Sequence, residues 1–340
     1  MNDFKGVGEL TVTMVKSGPL KTIDLFAGIG GIRLGFERAS GFENAYSNEI
    51  DKFCATTYEK NFGETPIGDI TKVNAKDLPD FDVLLAGFPC QAFSIAGQKK
   101  GFSDTRGTLF FDVARIIKEK KPRAFLLENV KNLEKHDKGK TFGVIKNVLE
   151  SDLKYKVFHK VLNAKNFGVP QNRERVFIVG FRNDVDVNGY AIPEKKDNGK
   201  TLKDILEKNV PLRYFITKKR LQGMERHKER HKSKGNGFGY VAHDKTDIAS
   251  ALVVGGMGRE RNLVRDLESF NKIDDQDKSR FNQGGIRYLT ERECARLQGY
   301  PETFEIPVSK TQAYRQFSNS VAVPVIEEIA KSIKKVLEKN

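Results

Sequence analysis

Asp24-Leu25-Phe26-Ala27-Gly28-Ile29-Gly30-Gly31 is the stretch that decides the fold. An apolar run over residues 22–26 stops at a glycine-dotted corner, and helical periodicity begins at once over 32–39. Glycines there let the backbone turn sharply and approach a ligand, and the first N–H groups of the helix face it. The dinucleotide fingerprint Gly-x-Gly-x-x-Gly fails at its last position, where Arg33 stands. On this corner alone a dinucleotide and an adenosyl-methionine site compete. Further apolar runs at 45–48, 81–86, 123–127 and 176–181 alternate with helical stretches at 52–61, 108–120 and 142–151. Such alternation makes a doubly wound, mostly parallel α/β sheet of Rossmann-like type, whose ligands sit at the carboxyl ends of the strands.

The next strand ends supply fitting groups. Glu49 lies about twenty residues past the glycines, where an acid accepts hydrogen bonds from ribose hydroxyls, and Ile50 offers an apolar face to an adenine. Gly68-Asp69-Ile70 reads as the end of another short strand. Asp69 there either accepts from an exocyclic amine or caps the following turn.

Composition narrows the class. A chain of 340 residues holds one large or two medium domains. Three isolated cysteines exclude a disulfide scaffold and a cysteine zinc cluster. No apolar run approaches the length of a membrane span, and the first twenty residues lack a signal-peptide core, so a reduced, cytoplasmic protein is expected. Net charge is +14, which suits a polyanionic partner, although a solvated lysine-rich surface has the same composition. Tryptophan is absent, so any base stacking falls to Phe, Tyr, His or Arg.

Residues 1–183 read as a catalytic and cofactor-binding domain, 184–285 as a separate polar, glycine-dotted module, and 286–340 as a segment returning to the first domain. Between Arg213 and Lys234 nine Lys or Arg stand against two acids, Glu225 and Glu229. The tail regains helical periodicity at 290–298, with Thr290 as N-cap, and at 321–337.

Cys90 follows a strand through Gly87-Phe88-Pro89, in a loop of small and polar residues. Most lone cysteines are small buried hydrophobes, as expected of Cys54 and Cys294 in helical patterns. A loop cysteine at a strand's carboxyl end can instead present a nucleophilic thiolate. Residues 95–106, with Lys99, Lys100 and Arg106, read as a lid carrying phosphate contacts or as an ordinary surface loop. Glu128 ends the next strand, where a carboxyl group is costly to bury unless paired or protonated, or else caps a helix. Arg173 and Arg175 begin a further strand on one face and suit a base carbonyl, a phosphate or neighbouring acids.

Together, Phe26-Ala27-Gly28-Ile29-Gly30-Gly31, Pro89-Cys90-Gln91, Glu128-Asn129-Val130, Gln171-x-Arg173-x-Arg175, Arg292-Glu293-x-Ala295-Arg296-Leu297-Gln298-Gly299-Tyr300-Pro301 and Asn319-Ser320-Val321 resemble, in this order, the DNA (cytosine-5-)-methyltransferase family. The resemblance spans residues 21–338 apart from the 184–285 module. It departs at Ser318, where the family usually has Gly. It implies that Cys90 adds to carbon 6 of a flipped-out cytosine, that Glu128 contacts the Watson–Crick edge, and that Arg173, with Arg175 nearby, meets the O2 region. It implies a cofactor site for S-adenosyl-L-methionine, leaving as S-adenosyl-L-homocysteine, formed by Phe26, Ala27, Gly28, Gly30, Glu49, Ile50, Asp69, Ile70, Pro89, Leu109, Asn319 and Val321, with no metal. DNA contacts fall to Gln91, Ser94, Lys99, Lys100 and Arg106. Within the recognition module they fall to Lys234, Asn236, Phe238 and Tyr240, in a stretch similar to bacterial members that act on CC-N-GG or CC-W-GG sites. The expected partner is duplex DNA, with a cognate restriction endonuclease acting on the same site without direct contact. A monomer close to the nucleoid and away from membranes is expected. A tRNA methyltransferase on the same fold and a catalytically silent DNA-binding relative are the alternatives.

Overall fold

The computed structural model describes residues 18–66, 68–89, 109–255, 258–274 and 276–340. The first part runs β1 (Leu20–Leu25), α1 (Gly31–Arg38), β2 (Phe42–Asn48), α2 (Lys52–Phe62), β3 (Val83–Gly87), α3 (Leu109–Lys120), β4 (Ala124–Val130), α4 (Lys140–Asn147), β5 (Tyr155–Asn163), β6 (Gln171–Asn172) and β7 (Glu174–Arg182). Six strands form one sheet in the order β2-β1-β3-β4-β7-β5. β2, β1, β3 and β4 are mutually parallel, and β7 runs antiparallel to both β4 and β5.

The apolar runs of β3 and β4 are continuous because both faces of the sheet are covered. Val83, Leu85, Ala124 and Leu126 pack on one side with Ile32 and Phe36 of α1 and with Ile326, Ile329 and Ile333. Leu84, Ala86, Phe125 and Leu127 face the other way, against Val113, Ile116 and Ile117 of α3 and Ile145 of α4. The contact on the first side is close: a Cβ at Gly35 would sit 2.5 Å from Ile326.

The rest of the chain comprises α5 (Lys218–Lys232), β8 (Ala242–His243), β9 (Ala249–Ser250), β10 (Leu263–Arg265), α6 (Leu267–Asn271), β11 (Ile286–Tyr288), α7 (Glu291–Leu297), α8 (Lys310–Asn319) and α9 (Val323–Leu337). A small sheet, β11-β10-β8, joins the irregular module to the segment that begins at residue 286. Val185 and Ile192 pack into the same cluster as α9. Leu202, Ala249, Leu252 and Val264 share a cluster with Ile29, Leu297, Phe317 and Val323. Two small clusters belong to the module itself, around Phe215 and Phe270 and around Ile216, Met224 and Leu263.

Several local expectations are corrected. Residues 68–70 make no strand: Asp69 accepts from the N–H and hydroxyl of Thr71 and caps a 3-10 turn, an arrangement that competes with sheet pairing. β5 escaped the sequence reading because, as an edge strand, it is deeply buried only at Tyr155 and Leu162. α8 was also missed, although Ser309 caps it. Thr290 does cap α7, in a reciprocal box with Glu293.

One buried ion cluster ties the module to α7. Arg287, fully buried, donates from Nε to Asp266 at 2.9 Å and from both terminal nitrogens to Glu293 at 2.8 Å. Lys245 approaches Asp266 at 3.1 Å. Removing one member of such a cluster strands the others in a low-dielectric interior. Arg287→Met is therefore expected to lower unfolding free energy by about 3–5 kcal/mol in denaturant titration. A loss under about 1 kcal/mol would show that water reaches the two carboxylates.

Candidate active site

The carboxyl ends of β1, β2, β3 and β4 open into a cavity of about 640 Å³, within the usual range for small-molecule sites. The glycine corner makes its floor. Gly28 and Gly30 hold φ values of 56° and 78°, and Phe26 itself stands at 55°, a left-handed conformation uncommon outside Gly and Asn and often found at functional sites. A Cβ at Gly28 would meet nothing within 4 Å, so this side of the corner is open to a ligand. One at Gly30 would strike the Phe62 ring at 2.2 Å.

Phe26, Ala27, Gly28, Glu49, Ile50, Asp69, Ile70, Pro89, Leu109, Asn319 and Val321 all line the cavity; Gly30 shapes the turn without lining it. Glu49 accepts from the Gly28 N–H at 2.8 Å and from the Asp51 N–H at 2.7 Å, so its carboxylate is fixed while each oxygen keeps acceptor capacity. Ile50 is 70% exposed, an apolar surface awaiting cover. Asp69 caps its turn and also lines the cavity. An acid for hydroxyls, an apolar platform, a second acid and a glycine approach fit an adenosyl ligand.

Glu128, Arg173 and Arg175 border the same cavity. Glu128 lies opposite Gly87 in the β3–β4 register, so the chain leaves β3 toward residue 90 beside this carboxyl. Glu128 caps no helix. Its Oε1 lies 3.1 Å from Arg175 Nε. Burial raises the Glu128 pKa above the ordinary carboxyl value, against the opposing pull of Arg175 and then Arg173. Asn129 donates to the Phe88 carbonyl at 2.9 Å and so fixes where the loop departs.

The two arginines divide their work. Arg173 is 2% exposed. Its Nη1 donates to the Leu252 carbonyl at 2.8 Å, and its Nη2 to the carbonyls of Ser318 and Ser320 at 2.9 and 2.5 Å. The terminal nitrogens of Arg173 thus grip backbone while its buried Nε has no partner among the described residues, and Arg175 is the one joined to Glu128. Ser318 is accommodated where the family usually has Gly: its hydroxyl donates to the Tyr314 carbonyl at 2.7 Å inside α8. Sequence reasoning missed Asn129, and also Asn48, Asp51, Arg315 and Gln316 in the cavity wall. Asp51 was legible as the α2 cap, whereas Arg315 and Gln316 sit on the helix that was not foreseen.

Cys90, Gln91, Ser94, Lys99, Lys100 and Arg106 lie outside the described residues. In the module, Phe238 is 60% exposed and its ring meets His231, while Lys228 lies over Tyr240. Lys234 and Asn236 are exposed beside them.

The model of the C-5 cytosine-specific DNA methylase family matches residues 20–335, and the chain belongs to that family. It is a DNA (cytosine-5-)-methyltransferase. It is 54% identical to the Type II methyltransferase M.HpaII of Haemophilus parainfluenzae, over 93% of this chain and 89% of that protein. It is 48% identical to the Type II methyltransferase M1.ScrFI of Lactococcus lactis subsp. cremoris, over 96% of this chain and 80% of that one. Among solved structures, the Entamoeba histolytica methyltransferase EhMeth shares the fold with a TM-score of 0.72 at 18% identity, covering 94% of this chain and 99% of its own. No helix among the described residues is long and apolar enough to cross a membrane.

Asp24, under the glycine corner, is fully buried, and burial pushes its carboxyl up to about 7 against the pull of Arg33. Its native pKa exceeds the unfolded value of 3.8. Its stabilising contribution is therefore complete below about pH 4, shrinks as pH rises, and is gone above about pH 7. Asp24→Asn should be more stable than the parent at pH 8 by roughly 2–4 kcal/mol, with the gap closing toward pH 5. Thermal unfolding at the two pH values checks this; an equal difference at both would place the ionisation elsewhere.

Proposed function

We propose that this chain is the methylase of a Type II restriction–modification system, transferring a methyl group from S-adenosyl-L-methionine to carbon 5 of a cytosine flipped out of a short duplex DNA sequence. The observation that carries the reading is Glu128. A carboxyl raised by burial shares one cavity with Glu49 and Asp69 and stands beside the strand end that leads to Cys90. The cofactor, when bound, supplies an electrophilic methyl group. Glu49 and Asp69 hold hydroxyl and amine groups of the adenosyl part, and Ile50 covers its base.

Carbon 5 of cytosine is a weak nucleophile. Addition of the Cys90 thiolate to carbon 6 moves the ring electrons toward N3 and makes carbon 5 nucleophilic. Glu128, its carboxyl raised by burial, faces N3 and stabilises the charge arriving there, sharing a proton with N3 that it takes back when the ring is restored. Arg175 holds the Glu128 carboxyl in place. After methyl transfer a base removes the carbon-5 proton, the ring electrons return, and the Cys90–C6 bond breaks. The stacked duplex hides both carbons, so the base must leave the helix. The resemblance of residues 232–240 favours a CC-N-GG or CC-W-GG site. A monomeric cytoplasmic enzyme, sharing its site but no contact with an endonuclease, completes the proposal.

Glu128→Gln should slow methyl transfer by about 10²–10⁴-fold and change cofactor affinity less than about threefold. Equal losses in single-turnover rate and cofactor Kd would assign Glu128 a structural role. A duplex bearing 5-fluorocytosine, mixed with protein and cofactor, should give a denaturant-stable adduct that Cys90→Ser cannot form. No adduct with the parent protein would end the covalent mechanism. Bisulfite sequencing of DNA from expressing cells reads the site itself.

A further inference from the structure

The module carries a feature that the reaction leaves unused. α5 spans fifteen residues, and Met224 is its only buried side chain. At 100° per residue, Lys219, Arg226 and Arg230 fall within about 40° of one another on the helix surface. They form a stripe about 16 Å long. All three are exposed, and none joins an ion pair among the described residues. The helix's two acids, Glu225 and Glu229, lie roughly 80–120° round from the centre of the stripe. Glu229 stands at the i+3 position of Arg226, where helix pairs can form, yet no ion pair joins the two among the described residues.

The opposite side of α5 is occupied. Met224 enters the module's core with Leu263. The glycine-containing loop folds onto this helix: the N–H groups of Lys234 and Asn236 donate to the His231 carbonyl at 3.1 and 2.9 Å. The Phe238 ring meets His231 at 5.7 Å, and Lys228 lies 4.9 Å from the Tyr240 ring centroid. A Cβ at Gly239 would press on Lys228 at 2.6 Å. Stripe and loop are therefore two surfaces of one unit.

We propose that the Lys219–Arg226–Arg230 stripe of α5 is a phosphate-gripping surface for the duplex backbone, which holds the adjoining glycine loop in register without reading sequence. The assignment rests on the DNA-methylating reading and deepens it. Charge complementarity selects the occupant: three unpaired cations in a row, on a chain of net charge +14, match a linear array of phosphates. Backbone contacts position a protein, while contacts at base edges specify. The two roles then separate, with α5 setting affinity and the loop setting choice.

The test measures binding of the full chain to two 40-base-pair duplexes, one with the methylated site and one without, across salt concentrations. In the variant Lys219→Gln/Arg226→Gln/Arg230→Gln, both dissociation constants should rise by tenfold or more, with their ratio kept. The slope of log affinity against log salt should become shallower by about 2–3. kcat at saturating DNA and cofactor affinity should stay at the parent's values. The charge-retaining variant Arg226→Lys/Arg230→Lys should keep the parent's slope. An unchanged slope in the triple variant overturns the proposal and makes the stripe a solvated face. A collapse of the ratio overturns it too, since the stripe would then be reading bases. Should the triple variant lose cofactor binding, Arg226→Gln alone decides, through a slope shallower by about 0.9 or not. A parent protein with no salt dependence would instead defeat the DNA reading beneath it.

Discussion

Three distant stretches of chain meet on a few buried polar side chains, and the site exists because they do. Gln171 accepts from the Leu252 N–H at 2.9 Å and donates to the Leu297 carbonyl at 2.8 Å. Gln298 donates to the Phe317 carbonyl at 2.6 Å. Arg173 completes the set on Leu252, Ser318 and Ser320. Each of these segments leaves ordinary secondary structure here, so its carbonyls need partners that neither helix nor sheet supplies. A buried acceptor without a donor costs about 1–3 kcal/mol, which makes this junction hard to rearrange piecemeal. It places Asn319 and Val321 against the glycine corner and seats the module on the sheet's carboxyl edge.

The electrostatics follow from burial more than from net charge. Glu128 and Asp24 sit at the ends of apolar strands, and low solvent access raises both carboxyls. Arginines oppose this in both cases, Arg175 and then Arg173 for the first and Arg33 for the second. A carboxyl held partly toward its neutral form can donate a proton where a solvated one only accepts. The exposed cations of α5 stand in water, so the buried carboxyls and the surface cations occupy different dielectric environments.

The parallel half of the sheet was legible because buried strands such as Val83–Gly87 and Ala124–Val130 are nearly unbroken apolar runs. The edge strand Tyr155–Asn163 was not, since an edge position leaves His159 and Lys160 beside Val161 without a clean period. Thr290 announced its helix through the Thr290–Glu293 capping box. The Lys310–Asn319 helix, with polar residues between its buried ones, gave no comparable pattern. Glu49 and Glu128 stood out in the sequence because acids at the ends of apolar runs are costly to bury, and with Asp69 they line one cavity. The backbone partners of Arg173 were not legible, because a guanidinium's partners are invisible until the fold supplies them.

The chain's own residues settled the class: a glycine corner after an apolar run, acids at the ends of other apolar runs, and a proline-cysteine pair after one more, all local patterns that backbone and side-chain chemistry make readable at short range. The tertiary structure alone decided which arginine faces Glu128, and that the basic residues of 218–232 form a stripe on a helix whose other side bears the glycine loop. Those outcomes depend on contacts between segments up to 147 residues apart, as from Arg173 to Ser320. Loop closure over such distances is governed by the packing of the whole core, which no local pattern encodes.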